Sequence, residues 1–119
     1  MKNRLARNSK IEIRRSDLHG WGVFATAKII EGELLEEVPF QFLDMDSTAF
    51  ESVRYYWPRD EPWEGMAVPA GFAMLYNHAD DANADWETLE TDLLFRFMAT
   101  KNIAAGDEIL IDYGVNYSW

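Results

Sequence analysis

The sequence predicts one mostly-β domain built from several short strands, with short helical segments only. Three features predict it. Ile11 to Arg15 alternates apolar and charged residues, the period of a half-buried strand. Glycine-centred turns, Glu31-Gly32-Glu33 and Ala105-Gly106-Asp107, separate short apolar runs. Pro58, Pro62 and Pro69 interrupt the middle of the chain and leave it irregular.

In chain order, Ile11–Arg15 is the first strand and Ser16-Asp17-Leu18-His19-Gly20 the turn that ends it. Gly22 to Thr26 reads as the second strand. Gly32 is free to adopt positive φ and close a hairpin. Leu34 to Leu43 is apolar with acidic interruptions and reads as strands around Pro39. Asp46-Ser47-Thr48 offers an N-cap for a short helix through Ser52 to Tyr56, which Pro58 stops. Leu93 to Ala99 is a further strand candidate, and Glu108 to Tyr113 follows the Gly106 turn. Within the single domain, residues 1–10 read as a flexible basic arm, 44–66 as a variable insert and 114–119 as a short aromatic tail.

At 119 residues the chain can bury one core, and its 48% hydrophobic share is that of a soluble globular domain. No apolar run approaches the ~18 residues of a membrane span, and the basic start leads into no apolar stretch. A cytoplasmic or host intracellular location, without membrane contact, is the expectation. With no cysteine there are no disulfides or thiolate metal sites. Only His19 and His78 supply imidazole, so no structural zinc is expected.

The net charge of −10 is unevenly spread. Residues 1–15 carry six basic side chains and one acid, and the rest of the chain holds five basic and twenty acidic ones. Such a body repels nucleic acid and speeds encounter with cationic partners, although the same charge also serves plain solubility.

Three short motifs carry the chemistry. Gly20 and Gly22 flank Trp21, and a backbone that must approach a charged ligand closely uses glycine. Leu75-Tyr76-Asn77-His78, with Asn83 after it, offers an Asn-His pair able to bond an adenine edge and a ribose. Gly106 to Gly114 contains Glu108, Asp112 and Tyr113 at a strand end. Each alone has a plainer reading, as a turn, as local loop bonding and as a core aromatic. Their joint order and spacing narrow the choice.

Together the motifs resemble those of SET-domain protein lysine methyltransferases. The likeness runs from about Ile11 to Trp119 and is nearest the compact virus-encoded and bacterial type without cysteine-rich flanks. The resemblance implies a β-clip fold of several small sheets, its C-terminal strand end in a knot-like arrangement. It implies S-adenosylmethionine as cofactor and the side-chain amine of lysine in a basic protein, such as a histone, as acceptor. Gly20, Trp21 and Gly22 would then lie against the methionine part, Asn77 and His78 would hold the adenosine, and Tyr113 would be catalytic. Tyr117 and Trp119 would cover the adenine and the lysine channel. Tyr55, Tyr56 and Trp57 would supply substrate aromatics, with Ile111 limiting the methyl count. Because Ile111 cannot bond a water as a tyrosine there would, the resemblance implies di- or trimethylated product. A homodimer is a further expectation. The chain departs from the family pattern at Met74, where arginine is frequent, at Ala79, where serine is usual, and at Ala82, where proline precedes the asparagine.

Two other classes remain open on sequence grounds: a non-catalytic module gripping basic peptides, and an unrelated β-clip domain. In the latter the Asn-His and Asp-Tyr pairs would lie far apart. Within the enzyme reading, a small polyamine is an alternative acceptor.

Overall fold

The computed structural model describes residues 4–43, 57–58 and 66–113. The helix expected over 47–56, Tyr55, Tyr56, the side chain of Trp57 and the tail with Tyr117 and Trp119 lie outside the described residues.

Among the described residues, nine strands form two sheets. Strands β1 (Ile11–Arg15), β2 (Trp21–Ala25), β6 (Asn77–His78) and β9 (Glu108–Ile111) make the first, in the order β1-β2-β9-β6. The second contains β3 (Leu34–Leu43), β4 (Trp57–Pro58), β5 (Met66–Pro69), β7 (Ala84–Leu89) and β8 (Leu94–Ala99), in the order β4-β5-β3-β8-β7. Single 3-10 turns at Ala73–Leu75 and Glu90–Asp92 are the helical elements among the described residues.

β1 follows its sequence alternation, pairing antiparallel with β2 from Ile11↔Ala25 to Arg15↔Trp21. Gly32 adopts φ 87° and Gly106 φ 90°, a conformation that glycine reaches without strain, but the turn at Gly32 does not close the expected hairpin: β2 and β3, like β8 and β9, lie in different sheets. β3 is one ten-residue strand running through Pro39, not two strands around it. Proline is tolerated because β3 changes partners there: Leu34 to Pro39 pairs with β8, and Phe40 to Leu43 with β5. A missing N–H at that junction interrupts neither ladder.

Both sheets feed one core. Val23, Ile109 and Ile111 from the first sheet and Leu35, Val38, Phe95 and Phe97 from the second belong to a single buried cluster. Tyr76 is also inside it, its ring stacked on Phe97 at 4.6 Å between centroids.

Residues 6–10 of the basic arm pack against β3 and the turn before it. Ala6 and Glu37 are joined by a backbone hydrogen bond, and Asn8 N–H donates to the Leu35 carbonyl. The side chains of Asn8 and Lys10 both donate to Glu33 Oε2, at 2.7 and 2.9 Å. Two cations of this segment meet carboxylates: Arg7 lies 3.3 Å from Glu36 Oε2 and Lys10 2.9 Å from Glu33 Oε2.

The Lys10 ammonium beside Glu33, with help from Asn8, holds the Glu33 carboxyl down at about 2. A folded-state value below the usual carboxylate range means the stabilisation is present above about pH 4.5 and is lost as pH falls toward 2. Denaturant titrations at pH 5 and pH 2.5 should therefore show a smaller acid-induced loss for Glu33→Gln than for the parent chain. Equal losses would mean that this attachment does not contribute.

Candidate active site

The turn between β1 and β2 is closed locally. Ser16 N–H donates to the Gly20 carbonyl, and Ser16 Oγ accepts from Leu18 N–H at 3.0 Å. Gly20 takes φ 49°, and a Cβ there would meet nothing within 4 Å, so the peptide is bare on that side. A loop with this exposure suits close approach by a charged ligand. Trp21 beside it is half exposed at 53%, with the Arg15 guanidinium 5.0 Å over its ring.

Gly22 is bare for the opposite reason. Its missing Cβ would stand inside the Glu108 carboxylate and 3.0 Å from Asn77 Nδ2. Glu108 opens β9 opposite Phe24. Its Oε1 accepts from the Ser16 hydroxyl at 2.7 Å and its Oε2 from Asn77 Nδ2 at 2.7 Å. Asn77 Nδ2 also lies 3.1 Å from the His19 carbonyl and 3.2 Å from that of Trp21. All three neighbours are oxygens, so the amide orientation is fixed: the NH2 faces inward.

Both hydrogens of the Asn77 amide are engaged within the protein, tying the glycine loop to β6 and β9. The Asn-His pair is not in a loop, since Asn77–His78 forms a short parallel strand against Leu110 and Ile111. Asn83 adds a second clamp: its Nδ2 donates to the Glu108 carbonyl, and its Oδ1 accepts from Leu110 N–H at 2.8 Å. The sequence flagged Asn83 by position but not this backbone-mimicking role.

His78 and Tyr113 meet directly. Tyr113 N–H donates to His78 Nδ1 at 2.9 Å, and the rings are 5.1 Å apart. Nδ1 is therefore unprotonated, and Nε2 faces Asp80 Oδ1 at 2.9 Å. The Tyr113 hydroxyl donates to the Tyr76 carbonyl at 2.5 Å. Ile111, two residues earlier, is fully buried in the core. Of the residues expected to act, the structure thus gathers Gly20, Trp21, Gly22, Asn77, His78, Ile111 and Tyr113 along β2, β6 and β9. The contact between His78 and Tyr113 is opposite to what an unrelated β-clip domain would give.

The SET domain family model matches residues 20–114, and this chain belongs to that family. Among solved structures, a Plasmodium falciparum protein described as a candidate histone methyltransferase is 32% identical, with a TM-score of 0.69. The match covers 94% of this chain and 97% of that one. Chaetomium thermophilum Polycomb Repressive Complex 2 bound to the inhibitor GSK126 is 27% identical, with a TM-score of 0.75 over 94% of this chain. In the same complex in an autoinhibited conformation bound to S-adenosylmethionine, the similarity covers 90% of this chain at a TM-score of 0.72. The chain spans only 16% and 15% of those two polycomb chains. A search of curated proteins found no match. Nothing in these similarities supports a homodimer.

Replacing Asn77 by alanine removes a buried amide that satisfies two carbonyls and a carboxylate. Loss of stability by about 1–3 kcal/mol is expected from the unpaired acceptors. Denaturant unfolding checks this. Unchanged stability with lost S-adenosylmethionine binding would instead assign Asn77 to direct contact with the adenosine.

Proposed function

We propose that the chain transfers a methyl group from S-adenosylmethionine to the side-chain amine of lysine in a basic protein. The observation that carries the reading is the Tyr113 hydroxyl, held at the Tyr76 carbonyl where the glycine loop, the Asn-His strand and the end of β9 converge. Membership of the SET family over most of the chain supports it, as does the S-adenosylmethionine bound in a structural relative.

The residues present fit such a cofactor. The bare Gly20 peptide and the half-exposed Trp21 ring would receive the methionine part, and the backbone of β6 with the His78 ring would hold the adenosine. Tyr117 and Trp119 are proposed to cover it, and Tyr55, Tyr56 and Trp57 to line the acceptor side. When bound, the cofactor supplies an electrophilic methyl on a sulfonium, whose positive charge disfavours a protonated amine nearby.

The protein's task is to deliver a neutral amine in line. Free lysine has a pKa of ~10.4, so near pH 7.5 only about one amine in a thousand is nucleophilic, a deficit of ~4 kcal/mol. His78 is not a spare base, since both ring nitrogens are engaged. Desolvation of the ammonium in an apolar acceptor channel would lower its pKa. Tyr113 has one hydroxyl hydrogen, and Tyr76 takes it. A phenol oxygen can accept as well as donate, and here it is proposed to orient an amine N–H. Alignment of this kind is a large catalytic term. The net charge of −10 favours encounter with a lysine-rich partner.

Tyr113→Phe should abolish most transfer from labelled S-adenosylmethionine to core histones while leaving calorimetric cofactor affinity nearly intact. Parent-like turnover would remove Tyr113 from the chemistry. For product state, we propose di- or trimethylation, because Ile111 gives an apolar wall with no group to hold a water. Mass spectrometry of the acceptor under excess cofactor should show more than one methyl, and Ile111→Tyr should shorten the series. A product stalled at one methyl in both proteins would assign the limit to another residue.

A further inference from the structure

Glu36 and Glu37 are adjacent on β3, yet both are buried, at 0% and 5% exposure. Successive strand residues face opposite sides, so two acids in a row normally leave one in solvent. Glu37 has a structural reason for its place. Its carboxylate takes the Ala6 N–H and two bonds from Arg96, at 3.3 and 3.1 Å.

Glu36 is different. Its Oε2 takes Arg7 Nε at 3.3 Å, from a side chain that is itself half exposed. Its Oε1 accepts the hydroxyl of Tyr76 at 2.9 Å, forty residues away in sequence and 1% exposed. Burying a carboxylate costs several kcal/mol, and a well-packed apolar residue would fill the space with less penalty. Burial pushes the Glu36 carboxyl above its ordinary range, with Tyr76 and Arg7 opposing the shift. The position is expensive for stability, which suggests another use.

That use lies at the other end of Tyr76. The peptide carbonyl between Tyr76 and Asn77 accepts the Tyr113 hydroxyl. The ring of Tyr76 is stacked on Phe97, its hydroxyl is fixed by Glu36, and the next side chain, Asn77, is fixed by Glu108. The carbonyl therefore sits between two immobilised side chains. We propose that Glu36 and Tyr76 are positioning residues for Tyr113: their buried hydrogen bond fixes the carbonyl that orients the Tyr113 hydroxyl. This rests on the methyl-transfer reading of Tyr113. A bond as short as that one is sensitive to small displacements of its acceptor, and misplacement of about 1 Å at a reacting centre can cost about 100-fold in rate.

The test uses the full chain labelled with 13C at the tyrosine ζ carbon, which reports each of five phenols. The Tyr113 resonance is assigned by its absence in Tyr113→Phe. Tyr76→Phe, which removes only the distant hydroxyl, should shift that resonance and lower kcat about 10- to 100-fold on core histones with S-adenosylmethionine. The KM for S-adenosylmethionine should stay within about twofold. Glu36→Gln, which keeps an acceptor oxygen, should restore the parent spectrum and rate, whereas Glu36→Leu should reproduce Tyr76→Phe. Adding Tyr76→Phe to Tyr113→Phe should cause no further loss, because the effect passes through Tyr113. An unmoved Tyr113 resonance in both Tyr76→Phe and Glu36→Leu would overturn the proposal, as would an equal rate loss in both backgrounds. Full turnover in Tyr113→Phe would defeat the methyl-transfer role alone, since the resonance still reports the positioning.

Discussion

The Glu108 carboxylate is the contact on which the site depends. One oxygen takes the Ser16 hydroxyl and the other the Asn77 amide, and Asn77 in turn reaches the His19 and Trp21 carbonyls. Three segments far apart in sequence are joined there: the β1–β2 turn, β6 and β9. Neither the turn nor a two-residue strand would hold its shape alone. Gly22 is required because the carboxylate occupies the space of its side chain. The glycine motif therefore does two separate jobs, with Gly20 leaving a peptide bare and Gly22 admitting the clamp.

A second layer is built on that clamp. Once Asn77 is fixed, His78 presents Nδ1 to the Tyr113 N–H, and the Tyr76 carbonyl meets the Tyr113 hydroxyl. Tyr113 is thus bonded at its backbone to His78 and at its phenol to Tyr76, the two residues that flank Asn77. Its hydroxyl has a defined direction, and a group that must align two reactants needs one more than it needs acidity.

Much of this was legible in the sequence. The alternation over Ile11–Arg15, the positive φ of Gly32, the Gly106 turn and the strand that starts at Glu108 all have local causes, so local reading finds them, although that strand stops at Ile111, short of the expected Tyr113. The family resemblance rests on motifs that the structure brings together. What was not legible depends on long-range pairing. Asn77–His78 is too short to show any period, and its strand character comes only from lying beside Leu110 and Ile111. β7 carries Asp85 and Glu87 on its exposed side and gave no strand signal, though β8 pairs along its full length. The Glu36–Tyr76 pair spans forty residues, and two consecutive acids read naturally as solvated charge. The docking of residues 6–10 was hidden for the same reason, since its partners are on β3.

The central claim is that the Gly20–Gly22 loop, β6 and Tyr113 form one cofactor-binding centre. A crystal structure of the chain with S-adenosylhomocysteine tests it most directly. The account predicts the amino-acid part against the Gly20 peptide, the adenine beside His78 and the sulfur facing the Tyr113 hydroxyl, which keeps its bond to the Tyr76 carbonyl. Ligand elsewhere, for instance in the cavity of about 240 Å³ bordered by Leu5, Arg7, Pro39 and Gly71, with the loop and Tyr113 uncontacted, would contradict it.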